Sequence, residues 1–316
     1  MATALIGHER PWREWREALS GRRLPHGWIL AGMRGTGKGA FALAAARELV
    51  AEPGMPQPAG DHPDIFRLER EPSPDEEKKR AQGKPYQLRR NITVDQVRTM
   101  QRRLTTRPTL GSRRAIIIDP ADDLEGGAAN ALLKSLEEAP AGTYFLLVAH
   151  RLGRLLPTIR SRCRILRFPA LGPGEIDALL QRAVPEADDA ARAAAIAASG
   201  GSPGAALDFL TLELGTMHRL MSEIVRHGDR DFTHRGRLAE TMGGRRDLQR
   251  QAAAIDLARA VTMREMHHAP VAALPLLADT HADLVRLGTE APAYNYDPGL
   301  LMMEIGTLLA RLAAPR

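Results

Sequence analysis

The stretch GMRGTGKGAF, Gly32 to Phe41, decides the fold. Gly32, Gly37 and Lys38 follow the phosphate-loop pattern G-x-x-x-x-G-K-[ST], and Gly39 stands where its closing hydroxyl belongs. Glycines such as Gly35 and Gly37 let backbone N–H groups approach phosphate oxygens, and Lys38 reaches the outer phosphates as a point charge. The absent hydroxyl is the usual ligand of the Mg²⁺ that bridges those phosphates.

Working outward, the apolar run GWILAG (27 to 32) enters the loop and the alanine-rich GAFALAAARELV (39 to 50) leaves it, so strand, loop and helix follow in order. A helix is expected upstream, over 11 to 20, from the spacing of Trp12, Trp15, Ala18 and Leu19. Residues 51 to 91, rich in proline and mixed charge, read as loop interrupted by the short apolar DIFRL. Thr93 then caps a helix carrying Val94, Val97 and Leu104 on one face. RRAIIIDPADDL gives a strand ending in acid, GGAANALLKSLEEAP a helix, and TYFLLVAH a second buried strand. Strands alternating with helices predict an α/β core, a parallel sheet with flanking helices. Beyond Phe168 the pattern is helical throughout, with an SGGSPG turn at 199 to 204.

The 316 residues are 44% hydrophobic and carry a formal charge of +6, mostly as arginine, which favours polyanionic or acidic partners. Neither a signal segment nor a membrane span is legible, and the single Cys163 gives no disulfide framework and no cysteine-rich zinc site, so a reducing, cytoplasmic setting is expected. His62, His267 and His268 are too scattered to hold a metal instead.

Asp119, at the end of AIIID, has the place of a metal-orienting acid about 80 residues beyond the loop. Pro120 follows it, where ATPases of the AAA+ class usually carry the glutamate that polarises the attacking water, and proline offers neither acid nor donor. Asp122 and Asp123 are close by, but displaced along the chain by two or three residues.

The motifs NALLKSLEEAP (130 to 140) and RLLPTIRSRC (154 to 163) resemble those of the AAA+ subunits of sliding-clamp loaders. With LIGHE (5 to 9), GRRLPHGWIL (21 to 30), HPDIFRL, ITVDQVR and GGSPGAAL (200 to 207), the first 210 or so residues resemble the delta-prime family of bacterial DNA polymerase III. The resemblance implies an AAA+ domain over 1–168, a small helical lid over 169–212 and an all-α C-terminal collar over 213–316. It implies that Arg162, in the triplet Ser161-Arg162-Cys163, acts in trans on ATP held by a neighbouring motor subunit, where a planar guanidinium suits a transferring phosphoryl group. ATP-hydrolysing relatives carry a lid arginine where Gly204 stands, and many delta-prime relatives carry a four-cysteine zinc module, of which residues 51 to 61 hold no cysteine. No zinc is therefore expected.

Three catalytic parts are missing, at Gly39, Pro120 and Gly204, so the resemblance implies a non-hydrolysing clamp-loader subunit with Gly35, Gly37, Lys38 and Asp119 as a degenerate nucleotide site. No cofactor would be required, with passive ATP or ADP binding left open. Expected partners are gamma/tau-type motor subunits, a delta subunit, the sliding clamp through the complex, and primer-template DNA, with no membrane. Two other readings stand beside this one: an active DNA-dependent AAA+ ATPase in which Asp122 substitutes for glutamate, and a scaffold that contributes nothing to a neighbour's chemistry.

Overall fold

The computed structural model describes residues 7–21, 23–84, 86–243 and 247–313, which leaves Leu5 and Ile6 of LIGHE and Arg22 of GRRLPHGWIL outside. The chain divides into two compact units, the first ending at Ala170 and the second beginning at Leu171.

The first unit runs α1 (Glu9–Ser20), β1 (Gly27–Ala31), α2 (Lys38–Val50), β2 (Ile65–Leu68), α3 (Pro74–Ala81), α4 (Val94–Leu104), β3 (Arg114–Ile118), α5 (Gly126–Glu137), β4 (Thr143–Ala149), α6 (Pro157–Arg160) and β5 (Arg164–Arg167). The five strands form one parallel sheet in the order β2-β3-β4-β1-β5. Its two faces are covered by different helices, which is why the central strands read as continuous apolar runs. Trp28, Leu30, Ala115, Ile117, Leu146 and Val148 pack with Trp15 of α1 and Phe41, Ala45 and Leu49 of α2. The alternate residues Ile29, Ile116, Ile118, Phe145 and Leu147 pack with Val97 and Met100 of α4 and Leu132 and Leu136 of α5. This is the α/β core, a parallel sheet with flanking helices, expected from the sequence.

Helix α4 begins as predicted: the Thr93 hydroxyl accepts from the Gln96 N–H at 3.4 Å and the Gln96 side chain returns to the Thr93 N–H, a reciprocal cap. Its other end is closed by a side chain the sequence did not single out. Arg114, 2% exposed, donates to the carbonyls of Arg103 at 2.7 Å and Thr106 at 2.8 Å. Asp64 of HPD, 1% exposed, accepts from the N–H groups of Thr109 (2.6 Å) and Leu110 (2.8 Å), pinning the turn between α4 and β3.

Two elements differ from the sequence expectation. The charged stretch read as loop contains α3, where Ser73 caps, Pro74 takes the first helical position, and acids at 75 to 77 precede bases at 78 to 80. That order complements the helix dipole, so the mixed charge that suggested a loop stabilises a short helix. Strand β5 was not foreseen because RILR holds only two apolar residues; as an edge strand it needs no more, and Leu166 is its buried member.

The second unit is helical: α7 (Pro173–Ala183), α8 (Asp189–Ala198), α9 (Pro203–Thr211), α10 (Gly215–His227), α11 (Thr233–Met242), α12 (Leu248–His268), α13 (Leu274–Tyr294) and α14 (Pro298–Ala310). One apolar cluster joins Ile176, Leu180 and Phe209 to Met217, Ile224, Leu257, Leu301 and Ile305, so packing is continuous across residues 212 and 213. Within it, the buried Asp229 carboxylate accepts from the N–H groups of His234 and Arg235 (both 2.9 Å) and from Arg235 Nε at 2.8 Å. Arg235 Nη1 reaches the Thr307 hydroxyl at 3.2 Å, which ties α11 to α14. Among the described residues no helix is long and apolar enough to cross a membrane.

Candidate functional site

Because all five strands are parallel, the loops after β1, β3 and β4 emerge at one edge of the sheet, where α/β proteins place their ligand sites. Gly32 opens the loop after β1, and its N–H donates to Ala149 O at 3.2 Å. A Cβ on Gly32 would lie 2.3 Å from Phe168 O, so only glycine fits. Gly35 (φ 77°) and Gly37 (φ 82°) take left-handed backbone, and Gly37 caps α2. The phosphate-loop backbone is therefore present.

Its side chains are arranged differently from a phosphate cradle. Lys38, 2% exposed, donates from Nζ to Met33 O at 2.5 Å and to the Thr36 hydroxyl at 3.4 Å, so it is turned back into its own loop. His8 Nε2 donates to Thr36 O at 2.5 Å from the other side. Burial pushes the Lys38 ammonium down to about 8, against the opposing pull of Asp119 and Asp122. Asp119 lies beside it at the end of β3, its carboxyl held above the usual range by burial and by Glu69, with Arg67 and Lys38 acting the other way. A Cβ built on Gly39 would stand 2.4 Å from Asp119 Oδ2. The carboxylate thus occupies the volume that a side chain at 39 would need.

Pro120 follows Asp119 and leads into a 3₁₀ turn, Ala121–Asp123. Asp122 is held by one oxygen: its Oδ2 accepts the N–H groups of His150 (2.8 Å) and Arg151 (2.9 Å), fixing the end of β4, while Oδ1 is buried without a partner among the described residues. Asp123 pairs with Arg70 at 3.2 Å. His150, just beyond β4, is pushed down to about 4 by burial and by the charges of Lys38, Arg34, Arg151 and Arg70, so it is neutral at pH 7. Sequence reasoning passed over His8, Thr36 and His150; the position of His150 directly after a buried strand was the signal available for it.

A bound metal–nucleotide fits this arrangement poorly. Position 39 has no hydroxyl, Asp119 fills the adjoining space, and the loop lysine is engaged with a loop carbonyl. What remains of a cradle is backbone.

Arg162 lies elsewhere. The β1–β5 register pairs Trp28 with Arg164 and Ala31 with Arg167, so Arg162 is at the amino end of β5 and the loop at the carboxyl end of β1. About 13 Å of strand separates the two ends, and within one chain they belong to opposite edges of the sheet. The Arg162 side chain is 36% exposed; Nη2 pairs with Glu137 Oε1 at 2.5 Å and Nη1 donates to Thr158 O at 3.0 Å. Behind it the triplet is locked into the sheet: a Cβ on Gly27 would meet Cys163 Sγ at 2.8 Å and Arg162 O at 3.2 Å. Burial pushes the Cys163 thiol up to about 12, so it is protonated at neutral pH. Gly204 lies in the first turn of α9, whose cap is the Ser202 hydroxyl.

Comparison with known proteins agrees with the motifs. The family model described as DNA polymerase III, delta subunit, matches residues 7–172. The DNA polymerase III subunit delta-prime of Pseudomonas aeruginosa is 34% identical over 207 residues, covering 61% of this chain and 58% of that protein. The Escherichia coli (strain K12) subunit of the same name is 34% identical over 197 residues, covering 58% and 53%. A gamma/tau subunit of Mycobacterium tuberculosis is 30% identical over 215 residues, covering 65% and 36%. The chain thus spans little more than half the length of the delta-prime relatives it matches. With more than half of its residues inside the family model and the delta-prime motifs in place, the chain belongs to the DNA polymerase III delta-prime family of bacterial clamp-loader proteins.

Proposed function

We propose that this chain is a non-hydrolysing subunit of the replicative clamp loader, one that keeps the form of an ATPase site and acts on a neighbour's ATP. The observation that carries the reading is the closed loop: Asp119 Oδ2 stands in the space of a side chain at 39 while Lys38 is bonded to Met33 O. Asp122, the acid that could have replaced the missing glutamate, is committed to two backbone N–H groups. Gly35, Gly37, Lys38 and Asp119 then serve as architecture, with no cofactor required and no zinc.

Arg162 is the residue with a catalytic role in this reading, exerted across a subunit boundary on ATP bound by a gamma/tau-type motor subunit. Its place at the sheet edge opposite the chain's own loop supports action in trans, and its partial exposure leaves the guanidinium reachable. Glu137 positions it while it awaits that partner. Residues 169–212 would act as the lid and 213–316 as the collar that joins the other subunits, a delta subunit among them. The sliding clamp and primer-template DNA would be met through that cytoplasmic assembly.

The test of the non-hydrolysing part is ATP turnover by the purified chain with Mg²⁺ and primed DNA. Turnover at background is expected. Turnover that disappears on Lys38→Ala would restore the active-ATPase reading.

A further inference from the structure

Strand β2 is one of the two edge strands of the sheet, and its outer edge opens into a cavity of about 720 Å³ between α2 on one face and α4 on the other. Cavities of this size accommodate several side chains. The ladder to β3 uses Leu68 O, bonded by the Asp119 N–H at 3.0 Å, and Asp64 O, bonded by the Ala115 N–H at 2.9 Å. In a parallel ladder alternate residues face the same neighbour, so the N–H and C=O of Arg67 face the cavity. The Arg67 backbone has no partner among the described residues, whereas Ile65 N–H is taken by His62 O at 3.0 Å.

The walls supply the rest of a peptide slot. Leu43 of α2, Phe66 of β2 and Met100 of α4 make it apolar on both sides of the strand. Among the described residues Arg47, Arg89 and Arg103 line its rim without a carboxylate partner; Arg47 donates to Gly60 O at 3.3 Å, and Arg103 lies over the Phe66 ring at 5.0 Å. Asp61 and Glu71, without a cation partner among the described residues, line it too, and with Arg67 and Asp95 counted the lining holds four arginines against three carboxylates, a small positive excess. Edge strands with unpaired backbone groups recruit extended chains, and side-chain pockets along the edge choose among them.

We propose that this slot captures an extended acidic peptide segment of a partner protein, which adds to β2 as a sixth strand, with its carboxylates directed to Arg47, Arg89 and Arg103. The site lies outside the phosphate loop and apart from Arg162, and does not depend on the reading given to either.

The experiment titrates the isotopically labelled full chain with a blocked pentapeptide of alternating valine and glutamate, and with its valine–lysine counterpart, up to about 1 mM. Saturable amide shifts at 65–68 with the glutamate peptide alone are expected. Arg67→Pro removes the one outward donor from an edge position where proline is tolerated, and is expected to weaken binding about three- to tenfold. Arg103→Glu, on the exposed face of α4, is expected to reverse the preference towards the lysine peptide, and provides a second route if the proline variant fails to fold. No saturable shift at 65–68, or equal binding by wild type and both variants, would mean an edge that is merely protected by its shortness and charge, and would overturn the proposal.

Discussion

Lys38→Met changes the one group in the loop whose state depends most on whether phosphate is meant to be there. In a working phosphate site the buried ammonium is compensated by ligand charge; here it has a carbonyl, a hydroxyl and a nearby Asp119. Its proton affinity falls from an ordinary 10.5 to about 8. At about 1.4 kcal/mol for each tenfold change, burial of the charged form costs about 3 kcal/mol at pH 7. The folded value is the lower one, so the unfolded chain holds more protons between the two values. The penalty is therefore complete below about pH 8 and fades as pH rises towards 10.5. Methionine removes it but leaves Met33 O without its donor, an offset of about 1–2 kcal/mol at either pH. Urea unfolding of wild type and variant at pH 7 and 9.5 measures the difference, in which the other titrating groups largely cancel. The variant's advantage is expected to shrink by about 2 kcal/mol between the two pH values. A difference that is constant with pH, or that grows, would refute the picture of an uncompensated buried lysine.

Other outcomes follow from the same contacts. Asp64→Ala takes the buried carboxylate acceptor from the N–H groups of the exposed Thr109 and the half-buried Leu110, and is expected to destabilise the first unit by about 2–3 kcal/mol in urea unfolding. Asp229→Ala removes the partner of a nearly buried Arg235 and three hydrogen bonds, and is expected to cost about 3–5 kcal/mol, read from the second unit's helical signal. Gly39→Ser supplies the missing hydroxyl but meets Asp119, so no Mg²⁺-dependent ATP hydrolysis is expected from the purified variant, as measured by phosphate release.

The core of the fold was legible because its central strands are buried on both faces, and the phosphate loop marked where the first of them ends. Strand β5 escaped because an edge position lets Arg164 and Arg167 face solvent, which erases the apolar run. Helix α3 escaped because mixed charge without apolar residues carries no periodicity; only its order, acids first and bases last, marks it as a helix. At the candidate site the sequence named Gly35, Gly37, Lys38, Asp119 and Arg162 but not how the first four are disposed. That Lys38 turns into its own loop and Asp119 against Gly39 depends on two strands separated by β4, a relation that no local pattern encodes. The pairing of Gly27 with the Ser161-Arg162-Cys163 triplet is similar: two motifs far apart in sequence accompany each other because a Cβ at 27 would strike the cysteine.

The role proposed for Arg162, at ATP held by another subunit, is open to direct measurement. Its most direct test is DNA- and clamp-stimulated ATP turnover of the reconstituted loader with Arg162→Ala in this subunit alone, assembly being checked by gel filtration. An intact complex is expected whose turnover at the adjoining motor site falls on the order of 10³-fold, as loss of a trans-acting arginine does. An intact complex with unchanged turnover would contradict it and leave the chain a scaffold.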